Sequence, residues 1–205
     1  MRKLILTAAL ATAAFASPAL AQDRAPFTGP HIEALVGYDR LGNNSDEASD
    51  GLLYGVGLGY DFQAGGAILG IEGEAAGSTN SINDSNVFAA GDTLRSRADR
   101  DLYVGARLGF AVAPSTMIYA KGGYTNARIK TTYSLAGVSS SVNTTLDGYR
   151  LGAGVEQKFN LFGPSGFAKL EYRYSNYGAA RTAGSNNDNI DLDRHQIVAG
   201  VGVRF

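Results

Sequence analysis

An all-β fold, an eight-stranded antiparallel barrel, is the structure that this sequence predicts, and three observations support it. Eight runs of residues alternate apolar with polar or small side chains, the connections between the runs alternate in length, and glycine recurs on the polar face. Because successive side chains of a strand point to opposite faces, each run predicts a strand with one apolar and one polar face.

The first run lies at 30–41, and the second, at 52–62, has the clearest alternation. In the second run, Leu, Tyr, Val and Phe residues on one face oppose mainly Gly residues on the other. The remaining runs lie at 67–77, 101–110, 118–125, 149–159, 168–174 and 195–205. The last run ends on an aromatic residue, Phe205, whose side chain belongs to the apolar face.

The connections predict how the barrel is oriented. Short turns are expected at 63–66, 113–116 and 160–164, and long polar loops at 43–50, 78–99, 131–147 and 178–192. Outer-membrane barrels have an even number of strands, short periplasmic turns and long external loops. We therefore expect a transmembrane barrel with both termini in the periplasm.

Alternation alone leaves open which face is outside, and a soluble barrel that carries a ligand would turn its aliphatic face inward. Glycine decides between the two. On a strand exposed to water, glycine costs entropy and adds no packing. The interior of an eight-stranded barrel, in contrast, has room only for small residues among a few large ones. Because glycine shares the face of the charged residues, we expect that face to be inside.

The first 21 residues predict a cleavable secretory signal peptide. A basic start at Arg2 and Lys3 precedes an apolar stretch at 4–16, and Ala19 and Ala21 supply a small-x-small cleavage site before Gln22. An apolar helix of about 13 residues is too short to span a hydrocarbon core of roughly 30 Å. The expected division is a signal peptide at 1–21 and one barrel domain at 22–205.

Composition excludes several functions. The chain has no Cys, which excludes a disulfide framework, thiol catalysis and metal sites with Cys ligands. Its formal net charge of -1 gives no reason to expect nucleic acid as a partner, because that would require a basic face. After the signal, no run of 18 or more apolar residues predicts a membrane-spanning helix.

The charges on the inward face are the candidate functional residues. We expect a barrel-interior charge network of Glu33, Glu72, Glu74, Arg107, Lys121, Arg150, Glu156, Lys169, Glu171 and Arg173. Further inward charges are Asp39, Asp61, Asp101, Lys158 and Arg204. Such charges could form an ion path, or they could pair and fill the lumen. Pairing is favoured, because an unpaired buried charge costs several kcal/mol.

Catalysis and metal binding are not expected. By strand parity His31 points inward near the periplasmic end, whereas His195 lies on the lipid side near the external end, so the two cannot serve one site. The acidic loop residues, such as Asp46 and Asp188, do not match the calcium-loop pattern. We therefore expect no enzyme activity, no metal and no cofactor.

Three segments, YAKGGY at 119–124, GAGVE at 152–156 and KLEYRY at 169–174, and the aromatic-terminated last strand carry a family resemblance. They resemble the small outer-membrane β-barrel family of Gram-negative bacteria, which includes opacity-like proteins, porin-like surface antigens and barrels similar to the OmpA transmembrane domain. The His-x-Ser strand motif of lipid A deacylase barrels is missing from this sequence, since Gln196 and Ile197 follow His195. OmpA-like proteins carry a peptidoglycan-binding domain after the barrel, whereas this sequence ends at Phe205. Tethering to the cell wall is therefore not among the expected functions.

The resemblance implies a bacterial outer-membrane location, with outer-membrane lipid and lipopolysaccharide as neighbours. It also implies a signal for the outer-membrane assembly machinery, carried onto Ile197, Ala199, Val201, Val203 and Phe205. The expected function is structural, contributing to envelope integrity, with external loops for adhesion or for recognition of a host or cell-surface ligand. The alternative is a narrow porin-like diffusion channel for small solutes or ions.

Overall fold

The computed structural model describes residues 25–42, 49–85, 89, 91–136, 138–159, 166–182 and 192–205. These residues form nine strands: β1 (Gly29–Gly42), β2 (Ser49–Ala64), β3 (Ala67–Ser78), β4 (Ser81–Ser85), β5 (Thr93–Ala113), β6 (Thr116–Leu135), β7 (Val138–Phe159), β8 (Gly166–Thr182) and β9 (Leu192–Arg204). Within these ranges no helix is long and apolar enough to cross a membrane.

Eight of the strands form a closed antiparallel ring. Their order is β3-β2-β1-β9-β8-β7-β6-β5, and β5 pairs again with β3. The short strand β4 follows β3 after Thr79 and Asn80 and pairs with the far end of β5. The prediction of an all-β fold with eight antiparallel strands in a ring is confirmed.

The pairing around the ring is staggered. Direct strand partners followed from His31 around the barrel lead back to β1 at Leu41, ten residues further along the same strand. Such a stagger tilts the strands against the barrel axis, and eight strands enclose a space that side chains can fill. The interior is therefore a place where side chains from distant strands meet.

The two faces of the wall have opposite chemistry. The outward side chains of Leu58, Ile71 and Leu108 are 66%, 68% and 64% exposed, whereas the inward Asp61 and Arg173 are both 0% exposed. A water-soluble protein would bury the aliphatic residues instead. This arrangement suits hydrocarbon outside and polar groups inside, and it excludes the soluble carrier.

Glycine lets the strands and interior side chains approach closely. An added Cβ at Gly123 would lie 2.2 Å from the Val104 carbonyl oxygen and 2.4 Å from the Gly105 Cα. These atoms belong to the neighbouring strand β5, so a side chain at position 123 would require the backbone to move.

Two of the expected loops are largely strand. The stretch 78–99 contains β4 and the start of β5, and the stretch 131–147 lies in a β6–β7 hairpin that turns at Ala136, where φ is 49°. The loop predictions are wrong there, because Thr, Tyr and Val favour strands even without an apolar face. Four strands thus continue past the hydrocarbon-facing part of the wall, at the end that the connection lengths predict to be external. We call this region the external sheet: β4, 93–100, 128–135 and 138–147.

The other predictions about connections fall partly outside the described residues. The turn predicted at 63–66 is present, with Gly65 at φ 62°, and the turn at 114–115 follows β5. Residues 43–48, 160–165 and 183–191 lie outside the described part of the chain, as do the signal peptide and the cleavage residues Ala19, Ala21 and Gln22.

Candidate functional site

The barrel interior brings together the ten charged residues that strand parity assigned to it. None of the ten is more than 6% exposed. They reach the interior because side chains two residues apart on a strand point to the same face. Glu72 and Glu74 on β3, and Lys169, Glu171 and Arg173 on β8, are examples. The stagger of the strands then groups them into three clusters along the barrel.

The central cluster consists of Glu33, Glu72, Glu74, Lys121, Lys169, Glu171 and Arg173. The Lys121 ammonium lies 2.7 Å from Glu72 Oε1 and 2.8 Å from both Glu74 Oε1 and Glu171 Oε1. Its approach to Glu72 lacks hydrogen-bond geometry, so both Glu72 oxygens have no hydrogen-bond partner among the described residues. One cation therefore bridges three carboxylates from two strands, β3 and β8.

Lys169 and Arg173 complete this cluster from β8. Lys169 Nζ donates to Glu33 Oε1 at 2.6 Å, and Arg173 Nη2 donates to Glu74 Oε1 at 2.8 Å. Arg173 Nε also donates to Glu171 on the same strand. The cluster thus connects β1, β3, β6 and β8 across the lumen.

The second cluster lies at the end where the strands turn at 65–66. We call it the periplasmic cluster, because the short turns are predicted to face the periplasm. The Arg204 guanidinium lies 2.5 Å from Asp61 Oδ2 and 2.6 Å from Glu156 Oε1. Arg107 contacts the same two carboxylates, with Nη1 3.1 Å from Glu156 Oε2. His31 Nδ1 is 3.4 Å from Asp61 Oδ2, so the histidine is an inward member of this cluster.

The external cluster is built on Asp39 and Asp101. Arg194 holds Asp39 with two hydrogen bonds of 2.7 and 2.6 Å, and its Nη1 is 2.6 Å from Asp101 Oδ2. Arg150 Nη2 donates to the same Asp101 oxygen at 2.6 Å, and Ser78 Oγ donates to Asp39 at 2.7 Å. Two-point guanidinium–carboxylate pairing of this kind fixes geometry as well as charge.

An apolar cluster covers the periplasmic end of the interior. Phe27, which precedes β1, packs with Ile68, Met117 and Tyr119, and the first three are 0% exposed. The Phe27 backbone carbonyl accepts a hydrogen bond of 2.7 Å from Arg204 Nη1. The segment before β1 therefore folds against the mouth of the barrel and contacts the periplasmic cluster.

Lys158 and two tyrosines extend the interior contacts. Lys158 is partly exposed at the periplasmic mouth, where its Nζ donates to the Pro26 carbonyl at 2.5 Å. The Arg107 guanidinium lies 4.9 Å from the Tyr119 ring centre, and the Lys121 ammonium lies 4.8 Å from that of Tyr103. Cation–π contacts of this kind add attraction where water is excluded.

The comparisons with known proteins agree with this architecture. The model of the outer membrane protein beta-barrel domain matches residues 7–205. The chain belongs to this family. Its members' barrel domain accounts for nearly all of the sequence, and the protein is accordingly an outer-membrane β-barrel protein.

Among relatives of the family, the 31 kDa outer-membrane immunogenic proteins of Brucella melitensis and Brucella suis are each 27% identical over 178 residues, covering 82% of this chain and 72% of theirs. The solved structure of Neisserial surface protein A has a TM-score of 0.54 at 16% identity, covering 87% of this chain and 98% of that one. The attachment invasion locus protein Ail of Yersinia pestis has a TM-score of 0.51 at 17% identity, covering 87% and 99%. The two structures share the fold.

The sequence pattern did not identify several of the interior residues. Arg194 lies one position before the run assigned at 195–205, although the period of two continues through it and Gln196. Phe27 lies before the first run, and no periodic signal marks it. Tyr103 and Tyr119 were on the inward face, but nothing in the sequence says which cations they contact.

The two histidines lie on opposite sides of the wall. His31 is 4% exposed inside, whereas His195 is exposed on the outside, with its Nδ1 2.7 Å from the Tyr172 hydroxyl. Among the described residues no group of three or more His, Cys, Asp or Glu residues could hold a metal ion.

The last strand presents its apolar residues to the outside. Ile197, Val201 and Phe205 are 54%, 54% and 61% exposed, Ala199 is exposed and Val203 is half-buried. The strand pairs with β1 and β8, and the Phe205 N–H donates to the Pro30 carbonyl at 2.9 Å.

Proposed function

We propose that this outer-membrane protein is a structural barrel with a closed lumen, which contributes to envelope integrity and carries its external sheet on the cell surface for adhesion or recognition. The observation that carries the proposal is the interior, where three clusters of ion pairs follow one another from end to end. Arg150 supports their continuity, because its guanidinium is 2.6 Å from Asp101 and 3.7 Å from Glu74.

Two features support a closed lumen over a channel. The clusters draw charges from opposite walls to ion-pair distance, as in the 2.8 Å contact between Arg173 of β8 and Glu74 of β3, which leaves little room along the axis. Phe27 and Met117, both fully buried, add an apolar layer at the periplasmic end. Moving an ion through this interior would require ion pairs to break and charges to lose their partners, at several kcal/mol each.

The external sheet supports a role at the cell surface. Outer-membrane barrels carry their longer connections outside, and the longest strands, β5, β6 and β7, have 21, 20 and 22 residues. The parts beyond the apolar band are rich in Ser, Thr, Arg and Lys. A rigid polar sheet offers a partner a preorganised surface, which lowers the entropic cost of binding.

Processing and assembly are part of the same proposal. Residues 1–21 are cleaved as a signal peptide before Gln22, with Ala19 and Ala21 at the cleavage site, and 22–205 form the mature domain. The outward residues of β9, Ile197, Ala199, Val201, Val203 and Phe205, are the signal for the outer-membrane assembly machinery. Catalysis is no part of this function.

A flux measurement tests the closed lumen. The full-length mature protein is folded into liposomes loaded with a salt gradient, and ion and small-solute efflux is compared with protein-free liposomes and with liposomes holding a general porin. The expected efflux equals that of protein-free liposomes. Efflux that rises with protein concentration would instead establish the narrow diffusion channel.

A second measurement tests the surface role. Replacing the hairpin 131–142 by a two-residue turn shortens β6 and β7 above the interior clusters and leaves the rest of the ring in place. Cells expressing either form are compared for attachment to host cells and for sensitivity to detergent. The proposal expects weaker attachment with unchanged detergent sensitivity. Equal attachment would remove the adhesion part of the proposal.

A further inference from the structure

A shallow groove crosses the outward face of the wall below the external sheet. Its floor is Gly73 and Ala75 of β3, which have no side chain beyond Cβ. Larger outward residues border it: Val56, Leu58, Leu102, Val104, Tyr124 and Asn126. The groove therefore spans four strands in the part of the wall that faces hydrocarbon. Its lining is mainly apolar, with Asn126 at one end, and the buried residues Glu74 and Tyr103 also contribute to it.

The packing of neighbouring strands does not require glycine at position 73, on the floor of the groove. An added Cβ at Gly73 would meet only the Tyr103 carbonyl oxygen, at an ordinary contact distance of 3.7 Å. At Gly123 the same atom would collide with backbone. Because glycine in a strand costs stability, its presence at position 73 keeps a groove open that a larger residue would fill.

Two arginines stand at the external end of the groove. Leu102 and Asn126 are direct strand partners in the groove, and Arg100 and Arg128 are the next partners outward on the same two strands. Arg100 Nη2 donates to Asn126 Oδ1 at 2.9 Å, so its guanidinium reaches back towards the groove. Cation and apolar floor thus form one continuous surface.

The arginine pair lacks an anion. Like charges directly opposite each other on paired strands are destabilising. The Nε groups of Arg100 and Arg128 are shielded from solvent and have no hydrogen-bond partner among the described residues. A bound anion between the two guanidinium groups would remove the repulsion and accept these N–H groups.

The positive charge continues outward along the same face. Arg97 and Lys130 are a second pair of directly opposed cations, and Arg95 follows on β5. We call the set Arg95, Arg97, Arg100, Arg128 and Lys130 the cation column. Among the residues whose side chains the structure describes, no carboxylate forms an ion pair within 4.0 Å with a charged nitrogen of this column.

The nearby acids do not neutralise the column. Asp99, the extra residue of the bulge between Ala98 and Arg100, is exposed and makes no ion pair with the described cations. Asp147 accepts hydrogen bonds from the Tyr124 hydroxyl and from Asn126 Nδ2, the latter at 2.7 Å. The column therefore attracts anions at the level where strands leave the hydrocarbon.

We propose that this wall binds one phosphorylated, multiply acylated glycolipid of the outer leaflet, which has the chemistry of lipopolysaccharide. One acyl chain lies on Gly73 and Ala75, one phosphate binds between Arg100 and Arg128, and further anionic groups contact the rest of the column. At about 3.4 Å per residue, the column extends roughly 15 Å along β5 from Arg100, more than one glycerophospholipid phosphate would occupy. The inference rests on the orientation in the proposed function, with the external sheet outside.

Native mass spectrometry of the full-length mature protein in detergent tests this site, with bisphosphorylated lipid A, dephosphorylated lipid A and phosphatidylglycerol as the probes. Wild-type protein is expected to bind one lipid A molecule at least tenfold more tightly than either of the other two lipids. The double substitution Arg100→Gln and Arg128→Gln removes charge-assisted hydrogen bonds and should weaken lipid A binding by about tenfold or more. Gly73→Leu should weaken it by about tenfold, as if two methylene groups were kept out of the groove.

Two matched variants serve as controls. Arg40→Gln removes an exposed cation from β1, and Ala153→Leu enlarges a small outward residue of β7, both away from the groove. Each should leave the lipid A dissociation constant within about twofold. Heat-dependent gel mobility checks that every variant is folded.

Three results would overturn the inference: wild-type affinity in the double arginine variant, equal affinity for lipid A and phosphatidylglycerol, or tighter binding of a soluble sulfated polysaccharide than of lipid A. The flux measurement is independent of this one, because it reports on the lumen. A barrel that conducts ions yet binds lipid A through Arg100 and Arg128 would contradict the closed lumen and leave the lipid site standing.

Discussion

Two strands carry cations on both sides of the wall, and only the inward cations are paired with carboxylates among the described residues. On β6, Lys121 is 5% exposed inside the barrel and lies within 2.8 Å of three carboxylates, whereas Lys130 is exposed on the external sheet without a carboxylate partner among the described residues. On β5, Arg107 inside and Arg97 outside repeat the contrast. The same residue types are thus paired where they are buried and left unpaired where they face outward above the membrane.

Desolvation explains the difference. Taking an ion out of water costs several kcal/mol, so a buried cation is tolerated only when a carboxylate compensates it. A cation on an exposed strand keeps its hydration and gains little from a partner. Pairing inside the barrel is therefore a condition for folding, whereas the absence of pairing outside leaves charge available for a ligand.

The largest expected effect comes from breaking a buried pair. Arg173→Met should lower the free energy of unfolding by about 3–5 kcal/mol, because Glu74 and Glu171 would remain buried without this partner. Urea unfolding of the protein folded in phosphatidylcholine vesicles measures the change. The matched variant Arg95→Met removes an exposed cation and should change stability by no more than about 0.5 kcal/mol. Equal effects of the two variants would contradict the comparison.

The coupling within the external cluster should be the next largest. Arg194→Met and Asp39→Asn each remove one side of a two-point pair, and the double variant removes both. We expect the double variant to be less destabilised than the sum of the single variants, with a coupling of about 1–3 kcal/mol. The same urea titrations supply the double-mutant cycle. Additive losses would mean that the two side chains contribute to stability independently of each other.

Replacing a glycine should change the free energy of unfolding by a smaller amount, and the sign should differ between the inward and the outward face. Gly123→Ala places a Cβ against the backbone of β5 and should cost about 1–3 kcal/mol through overpacking. Gly73→Ala meets no such obstacle and should be neutral or stabilising by up to about 1 kcal/mol, since alanine restricts the unfolded chain. Unfolding free energies of the two variants give the comparison, and a greater loss at position 73 would contradict it.

Strand parity accounts for what could be predicted from the sequence. A period of two fixes which side chains share a face, so Glu171 and Arg173 could be assigned to the interior before any partner was known. Their partners could not, because Glu74 reaches Arg173 only through a stagger that is summed over many strand pairs. Arg194 follows the same parity, but the assigned run began one residue too late to include it.

The external sheet was missed for a different reason. Alternation predicts a strand only where the two faces meet different solvents, and strands such as 128–135 and 138–147 have polar residues on both faces above the membrane. Their backbone groups pair with each other, as at Thr131 and Val142, and this pairing is not visible in a hydropathy pattern. Phe27 was missed because it lies before the first run, where no period of two marks it.

The smallest expected effect has the opposite sign to the first. Arg97→Glu converts the directly opposed Arg97–Lys130 pair into an ion pair, and it should raise the free energy of unfolding by about 0.2–1 kcal/mol. Because both side chains are exposed, the gain should be present at about 0.01 M salt and largely screened at 1 M. Urea titrations at the two salt concentrations measure it. An interior substitution such as Arg173→Met should respond much less to salt, so a gain at position 97 that persists at 1 M would mean that the external sheet excludes water as the barrel interior does.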